Sequence, residues 1–168
     1  VTPVKIKDEV KLAFRYKYKT RDIYKNYDSA EAVNIIEDEL GKNFKPDLYW
    51  FDGDWEQSAG KWQAKEIREM IMKRNPKAII NSRLQGYGDY ATPEQGLPIT
   101  RPVDKYWELC MTINDSWGYQ QNDKEFKTSQ QIIKIFSECL SKGGNLLLDI
   151  GPKADGTIPA EEISVLKD

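Results

Sequence analysis

The spacing of apolar residues predicts a strand, a helix and a second strand in the first part of the chain. Residues 10–19 alternate between apolar and mostly basic side chains, which is typical of a half-exposed strand. Residues 30–40 carry apolar side chains at helical spacing, and Gly41 is expected to end that helix. The apolar run at residues 48–51 lies between Pro46 and Gly53 and predicts a buried strand.

The middle of the chain repeats the order of helix and strand. Residues 58–75 predict a helix with basic residues at its C-terminal end. Its apolar stripe consists of Ala64, Ile67, Met70 and Ile71. Residues 78–80 predict another short strand. Because strands and helices alternate with short connections, the sequence predicts parallel βαβ units and an α/β fold.

A long loop comes next, followed by a further alternation of helix and strand. Residues 85–106 contain many glycines and prolines, and a loop of this length is usually either functional or disordered. Residues 129–141 predict a helix that ends before Gly143. Residues 146–150 predict a buried strand, and Pro159 is expected at the first position of a last helix.

The composition excludes several classes of function. The formal net charge is −2, with no long run of one sign, so nucleic-acid binding has no electrostatic support. No apolar run approaches the roughly 20 residues of a membrane-spanning helix. The chain contains no histidine, which excludes a Ser-His-Asp triad and a histidine-ligated metal within it. Its chemistry must therefore depend on carboxylates, Tyr, Lys or Arg.

The cysteines and the chain ends give two further expectations. Cys110 and Cys139 match no disulfide framework or metal-ligand spacing and are expected to fill core positions. The chain begins at Val1 without a methionine or a signal-peptide pattern and ends at Asp168 within a predicted helix. We therefore expect a processed product or a piece of a larger chain.

Carboxylates follow the predicted strands in a pattern that indicates a sugar site. Asp52 comes directly after the strand at residues 48–51, between Trp50 and Trp55. In parallel α/β folds the carboxyl ends of strands are where ligands bind and catalytic residues collect. From this stretch alone, a solvated loop acid or a helix N-cap is an equal alternative.

Hydrolysis of a glycoside needs a second carboxyl group, which protonates the leaving oxygen while the first acts at the anomeric carbon. The other candidates in loops or at strand ends are Asp89, Glu94, Glu108 and Asp149. The residue pattern alone does not say which two act together.

Three other motifs match known patterns only in part. Gly86 begins a G-x-G-x-x-A sequence, but Pro93 prevents the helix that a dinucleotide site requires. Asp52 begins a stretch like a calcium-binding loop, but Gln57 occupies the position that requires glycine. The glycosylation sequon at Asn114 matters only in a secreted eukaryotic protein.

Six short motifs occur in order between residue 46 and the C-terminus. They are Trp50-Phe51-Asp52-Gly53-Asp54-Trp55-Glu56, Asn81-Ser82-Arg83, Gly88-Asp89-Tyr90-Ala91-Thr92-Pro93-Glu94, Tyr106-Trp107-Glu108-Leu109-Cys110, Asn114-Asp115-Ser116-Trp117-Gly118-Tyr119 and Gly143-Gly144-Asn145-Leu146-Leu147-Leu148-Asp149-Ile150-Gly151-Pro152. This series resembles the glycoside hydrolase family 29 α-L-fucosidases. Residues 1–45 match nothing reliable.

The resemblance implies a fold and an activity. The chain is expected to be α/β, the second half of a partial (β/α)8 (TIM-like) barrel with parallel strands and crossover helices, forming one domain over residues 1–168. The implied activity is that of a retaining exo-glycosidase, which removes terminal α-L-fucose from glycans or glycoconjugates by double displacement. The implied location is secreted, periplasmic or lysosomal. No cofactor, metal, nucleic acid or membrane is expected, and a homo-oligomer is possible.

The resemblance also implies roles for individual residues. Asp52 falls on the family's nucleophile. Glu94 is the first choice for the acid/base and Glu108 is the runner-up, while Asp89 could instead anchor a loop. Contacts to the sugar are implied for Trp50, Arg83 and Trp117. For the tryptophans, core or loop packing is the alternative.

The chain departs from the family pattern in ways that leave other interpretations open. The family's histidine-bearing early strands and its C-terminal β-sandwich are missing, and Asp149 stands where relatives often have asparagine. The alternative is therefore a catalytically incomplete carbohydrate-binding or scaffold fragment, which is expected to have little or no activity by itself. An inverting glycosidase, or one specific for a different sugar, is a third possibility.

Overall fold

The computed structural model describes residues 40–168, which fall into two compact units, residues 40–90 and residues 91–168. The strand predicted at residues 10–19 lies outside the described residues, as does nearly all of the helix predicted at residues 30–40. Residues 40–43 are helical, so the expected stop at Gly41 is wrong. Gly41 is buried, and a Cβ there would meet the Arg74 side chain, so this glycine allows close packing.

The first unit contains two short parallel strands and two helices. Strand β1 (Leu48–Tyr49) pairs in parallel with β2 (Ile79–Ile80), with Leu48 opposite Ile79. Helices α1 (Ala59–Trp62) and α2 (Ala64–Arg74) connect them. The helix predicted at residues 58–75 is therefore divided in two. The division lies at Gln63, whose φ of 51° places it in the left-handed region.

The core of the first unit confirms the predicted apolar stripe. Ala64, Ile67 and Ile71 of α2 are buried against Tyr49 and Ile80, and Met70 is partly buried. The strands are shorter and less buried than predicted, since the outward side chains Leu48 and Ile79 are exposed. The predicted βαβ order is confirmed, because β1 and β2 are parallel and joined by helices.

The second unit is built around a second parallel pair. Strand β3 (Glu108–Thr112) pairs with β4 (Asn145–Asp149) from Glu108 opposite Asn145 to Thr112 opposite Asp149. Helix α3 (Ser129–Ser141) connects them. Its range is the predicted one, and Thr128 and Gln131 form a capping box at its start. Helix α4 (Ala160–Lys167) follows β4.

A third extended segment runs beside β3, within the stretch predicted as a loop. Ala91 bridges to Trp107 and Glu94 to Cys110, both in parallel orientation and with one common offset. The Cys110 N–H donates to the carbonyl of Pro93, and the Gln95 N–H donates to the carbonyl of Cys110. Because Pro93 has no N–H, it interrupts the ladder. Residues 91–95 therefore act as an edge segment of this sheet.

The core of the second unit centres on Trp107. Its indole is buried with Leu109, Met111 and Cys139. A Cβ added at Gly144 would overlap the Trp107 ring, so the sheet can close over the indole only with glycine at this position.

Three sequence predictions for the second unit need correction. The whole of β3 was missed, because its nearly continuous apolar run has neither strand nor helix periodicity. The strand predicted as buried, β4, has no buried residue: Leu146, Leu148 and Asp149 are partly buried, and Leu147 is exposed. Pro159 is the N-cap of α4 and not its first residue. By contrast, the prediction that Cys110 and Cys139 fill buried positions as free thiols is confirmed.

Among residues 40–168, no helix is long and apolar enough to cross a membrane. The prediction of a single domain over residues 1–168 and the prediction of a partial barrel both stay predictions.

Candidate active site

Asp52 lies just beyond the carboxyl end of β1, as the sequence predicts for a catalytic residue at a strand edge. The chain turns sharply after it, because Gly53 has a φ of 84°, a conformation that side chains rarely adopt. A short 3-10 turn, Asp54–Glu56, follows at once. Asp52 is therefore held on a tight strand-to-turn connection with its carboxylate exposed.

Arg83 binds the Asp52 carboxylate. Its Nη1 donates to Asp52 Oδ1 at 2.6 Å, and the arginine side chain is 11% exposed while that of Asp52 is 52% exposed. The guanidinium carbon lies 4.5 Å from the ring centroid of Trp50 and 5.9 Å from that of Trp55. A buried cation between indole faces therefore fixes one oxygen of an exposed carboxylate.

The 3-10 turn after Asp52 is anchored by residues distant in sequence. The Asp54 carbonyl accepts hydrogen bonds from Trp62 Nε1 at 3.0 Å and from Gln85 Nε2 at 2.5 Å. The Asp54 carboxylate accepts from the Gln85 N–H at 3.1 Å. These bonds position Trp55, which is 67% exposed, on a rigid turn beside Arg83.

Asn81 completes the strand edge, a role that its place in the Asn81-Ser82-Arg83 motif did not reveal. Its buried side chain accepts from the Phe51 N–H at 2.9 Å and donates to the Phe51 carbonyl at 2.8 Å. The amide thus continues the β1–β2 pairing beyond its last backbone pair, next to Asp52. An asparagine directly after a strand, two residues before Arg83, is the signal that could have identified it.

Trp50 has a half-buried ring with a polar atom available for a ligand. Its indole N–H is buried and has no hydrogen-bond partner within the part of the chain that the structure describes. A buried donor without a partner is costly, which favours a bound acceptor at this position.

The two acid/base candidates occupy opposite ends of their segments in the second unit. Glu94 lies at the carboxyl end of the edge segment, where it bridges to Cys110, and it is exposed. Glu108 is the first residue of β3 and is partly buried. Since all strands of this sheet are parallel, Glu108 lies at its amino end, and Glu94, level with Cys110, lies two residues closer to its carboxyl end.

Trp117 belongs to a loop after β3 that is tied down by polar side chains. Asp123 accepts from the Ser116 hydroxyl at 2.7 Å and from the Asp115 N–H at 3.2 Å. The Ser116 hydroxyl is the main cause of a lowered pKa at Asp123. Lys127 Nζ donates to the carbonyls of Thr112 and Asn114. Trp117 itself is 54% exposed, so packing in the core does not explain this residue.

Asp89 has the anchoring role that the sequence analysis named as its alternative. Arg68 Nη2 donates to its carboxylate at 2.6 Å, and the Ile80 N–H donates at 2.9 Å. Burial works to raise the pKa of Asp89, but these two donors hold it below the ordinary value. Asp89 therefore fastens the loop to β2 and to α2.

Glu162 is a buried carboxylate that the sequence analysis did not identify. It is 1% exposed, in the first turn of α4, and both carboxylate oxygens accept from the Gly151 N–H at 3.1–3.2 Å. Burial raises its pKa, the Gly151 N–H opposes that rise, and the charges of Asp149 and Glu161 add to it. Glu162 thus clamps the turn that follows β4.

Among the described residues, no cluster of three or more cysteine or acidic side chains is arranged to hold a metal ion. The described site instead combines a strand-end carboxylate, an arginine that binds it and exposed or half-buried indoles. Such a combination is typical of α/β proteins that act on carbohydrates.

Comparisons with known proteins agree with this class. The alpha-L-fucosidase family profile matches residues 7–168. The alpha-L-fucosidase of Branchiostoma floridae is 30% identical over 167 residues, covering 93% of this chain and 35% of that protein. Rat tissue alpha-L-fucosidase is 32% identical over 133 residues, covering 71% of this chain and 28% of that protein.

Solved structures of the same family have a similar fold. Alpha-L-fucosidase isoenzyme 1 from Paenibacillus thiaminolyticus gives a TM-score of 0.71 at 35% identity, covering 79% of this chain and 37% of that one. Alpha-L-fucosidase AlfC from Lactobacillus casei, in complex with its alpha-L-fucose product, gives 0.68 at 27% identity, covering 77% and 40%.

The chain belongs to the alpha-L-fucosidase family, and the predicted resemblance is confirmed. The family match begins at residue 7, so it also covers most of residues 1–45, where no motif was recognised. The chain spans 28–35% of the length of these two curated relatives.

Proposed function

We propose that this chain carries catalytic residues of a retaining exo-glycosidase that hydrolyses terminal α-L-fucose from glycans or glycoconjugates. The observation that carries the proposal is the Asp52 carboxylate beyond β1, held by Arg83 against Trp50. Family membership supports fucose as the sugar. A fucosylated glycan is the proposed substrate, and a lysosomal or secreted location is the one the family resemblance favours.

In the proposed first step, Asp52 attacks the anomeric carbon as the bond from that carbon to the leaving oxygen breaks. Glu94 gives its proton to the leaving oxygen, so the products are a fucosyl ester on Asp52 and a neutral alcohol. In the second step Glu94 takes a proton from water, and the resulting hydroxide equivalent attacks the anomeric carbon. This step frees the Asp52 carboxylate and the sugar with its original anomeric configuration.

Arg83 and Trp50 support this chemistry from fixed positions. The Arg83 guanidinium holds one Asp52 oxygen and leaves the other for attack. The buried N–H of Trp50 would donate to a sugar oxygen, and its ring would cover an apolar face of fucose.

Glu94 is favoured over Glu108 by its place in the second unit. Active-site residues of parallel α/β folds collect at the carboxyl ends of strands. Glu94 is paired with Cys110, so it lies two residues closer to the carboxyl edge of the sheet than Glu108, the first residue of β3. Backbone topology therefore supports the first choice made from the sequence.

Replacing Asp52 by glycine tests the nucleophile. We expect Asp52→Gly in the complete natural protein to lose at least about 10³-fold in kcat, because no group remains to form the ester. Added azide should fill the vacated space and restore part of the rate, giving β-fucosyl azide identified by NMR. Full activity in Asp52→Gly would remove Asp52 from this role.

Parallel substitutions separate the two acid/base candidates. Glu94→Ala should slow poor leaving groups by about 10²-fold or more and good leaving groups much less, since only the former need protonation. It should also flatten the limb of the pH–rate profile that reports the acid. Glu108→Ala is the matched control. It should change neither the ratio of the rates for good and poor leaving groups nor the pH–rate profile. The reverse pattern would transfer the role to Glu108.

The incomplete-fragment alternative is favoured by exposed apolar side chains on one helix. Ile133, Phe136 and Leu140 of α3 are all largely exposed. Such surface in a folded protein is usually covered by further protein. A fucoside hydrolysis assay on residues 1–168 alone and on the complete natural protein distinguishes the two functions: turnover only in the complete protein supports a fragment that needs the rest of its barrel.

A further inference from the structure

We propose that Trp55 is a platform for the leaving-group sugar, the ring attached to fucose, and that it sets a preference for fucosylated oligosaccharides over fucosides with small leaving groups. This inference rests on the proposed function. The catalytic roles given above leave Trp55 unused.

The position of Trp55 relative to Asp52 is fixed by a shared neighbour. The Arg83 guanidinium bonds to Asp52 at 2.6 Å and lies 5.9 Å from the Trp55 ring centroid. The same guanidinium lies closer to Trp50, at 4.5 Å. The two indoles therefore stand at different distances around one cation, beside one carboxylate.

Trp50 and Trp55 differ in solvent exposure, which indicates different roles for the two rings. Trp50 is half-buried and ends in a buried N–H, as expected for a ring that lines the inner part of a pocket. Trp55 is 67% exposed. An exo-glycosidase holds the terminal sugar inside and leaves the rest of the glycan toward solvent, so an exposed ring beside the nucleophile meets the leaving group.

The turn that carries Trp55 is rigid, although its ring is exposed. Its neighbour Asp54 accepts three hydrogen bonds, from Trp62 and from the side chain and backbone of Gln85. Two of these bonds come from Gln85, 31 residues away, so the turn is anchored to a separate part of the first unit. An exposed ring on an anchored turn is pre-organised for stacking and loses little entropy when a ligand binds.

The test compares two substrates that differ only in the leaving group. A fucosylated disaccharide presents a sugar ring to Trp55, whereas α-L-fucosyl fluoride presents none. In the complete natural protein we expect Trp55→Ala to lower kcat/KM for the disaccharide about tenfold, a typical effect of losing one aromatic contact. The kcat/KM for the fluoride and the inhibition constant of free L-fucose should stay within about twofold, below the effect of one stacking contact.

Two further variants make the comparison specific. Trp55→Phe keeps a ring and should recover most of the disaccharide activity. Phe44→Ala removes another exposed aromatic of the first unit and should leave the ratio of the two kcat/KM values unchanged. The ratio is independent of the fraction of folded protein, so partial misfolding of a variant does not affect it.

An unchanged ratio in Trp55→Ala would overturn the inference and leave the proposed function intact. An equal loss on both substrates would also overturn it, since the ring would then act on fucose itself. If the unsubstituted protein hydrolyses neither substrate, the proposed function fails and the inference fails with it.

Discussion

At the residue scale, the sequence identified the side chains that carry chemistry and missed those that hold them. Asp52 and Arg83 were singled out by motif, and the structure joins them in an ion pair. Asn81 was quoted in a motif but given no role, and Gln85 and Glu162 were not singled out, because each side chain bonds to a backbone group distant in sequence. Local pattern contains no information about such partners, so only the folded chain shows them.

Glu162 gives a prediction for stability against pH. Its pKa is raised above the ordinary value by burial, so the folded state keeps the proton to a higher pH than the unfolded chain does. The stability from this proton is fully present below the ordinary glutamate pKa and is lost as pH rises through the raised value. Glu162→Gln is always neutral and can still accept from the Gly151 N–H, so it lacks this loss.

Thermal unfolding from about pH 4 to about pH 7 measures the effect. We expect the Tm of Glu162→Gln to rise relative to the unsubstituted protein by a few degrees over this interval, as about 1 kcal/mol would produce. Glu66→Gln changes an exposed carboxylate in the first turn of α2 and is the control, with a difference that stays nearly constant. A difference for Glu162→Gln that does not vary with pH would show that the buried carboxyl does not titrate in this interval.

At the element scale, a glycine after a predicted helix was a correct stop signal in one case and a wrong one in another. The range of α3 was predicted with the glycine pair after Lys142 marking its end, whereas the expected stop at Gly41 is wrong. The division between α1 and α2 could not be predicted, because a non-glycine residue, Gln63, adopts the left-handed conformation there. Strand β3 was missed because nearly all of its side chains are buried, which leaves no alternation to detect.

The contact between Gly144 and Trp107 provides a test of the second unit's packing. Because a Cβ at Gly144 would overlap the buried indole, Gly144→Ala should lower the free energy of unfolding by about 3 kcal/mol, as overpacking of a closed core does. Gly60→Ala is the control, since nothing lies within 4 Å of its added Cβ. That helical substitution should stabilise the protein by about 0.5 kcal/mol.

Urea denaturation of the two glycine variants measures both values. The result that would contradict the packing account is a Gly144→Ala protein as stable as the unsubstituted one. That outcome would mean the Trp107 indole moves aside at little cost, which its burial among Leu109, Met111 and Cys139 does not allow.

At the scale of the whole molecule, the order of motifs was more informative than any single motif. The family inferred from six short segments is the family that the comparisons show, and the parallel βαβ order is present in both units. Two matters could not be reached from sequence. One is the carboxyl group that acts with Asp52, because that group is identified by its distance from the Asp52 carboxylate. The other is closure of a barrel, which requires strands beyond the four described here.

Trapping the covalent intermediate tests the central claim most directly. A 2-deoxy-2-fluoro fucosyl fluoride slows both steps but forms the ester quickly, so a retaining enzyme accumulates a fucosyl adduct. Peptide mapping by mass spectrometry of the complete natural protein should place that adduct on Asp52, and Asp52→Gly should show none. An adduct on another carboxylate, or turnover with no adduct and release of the inverted sugar, would contradict the assignment of Asp52 as the nucleophile of a retaining fucosidase.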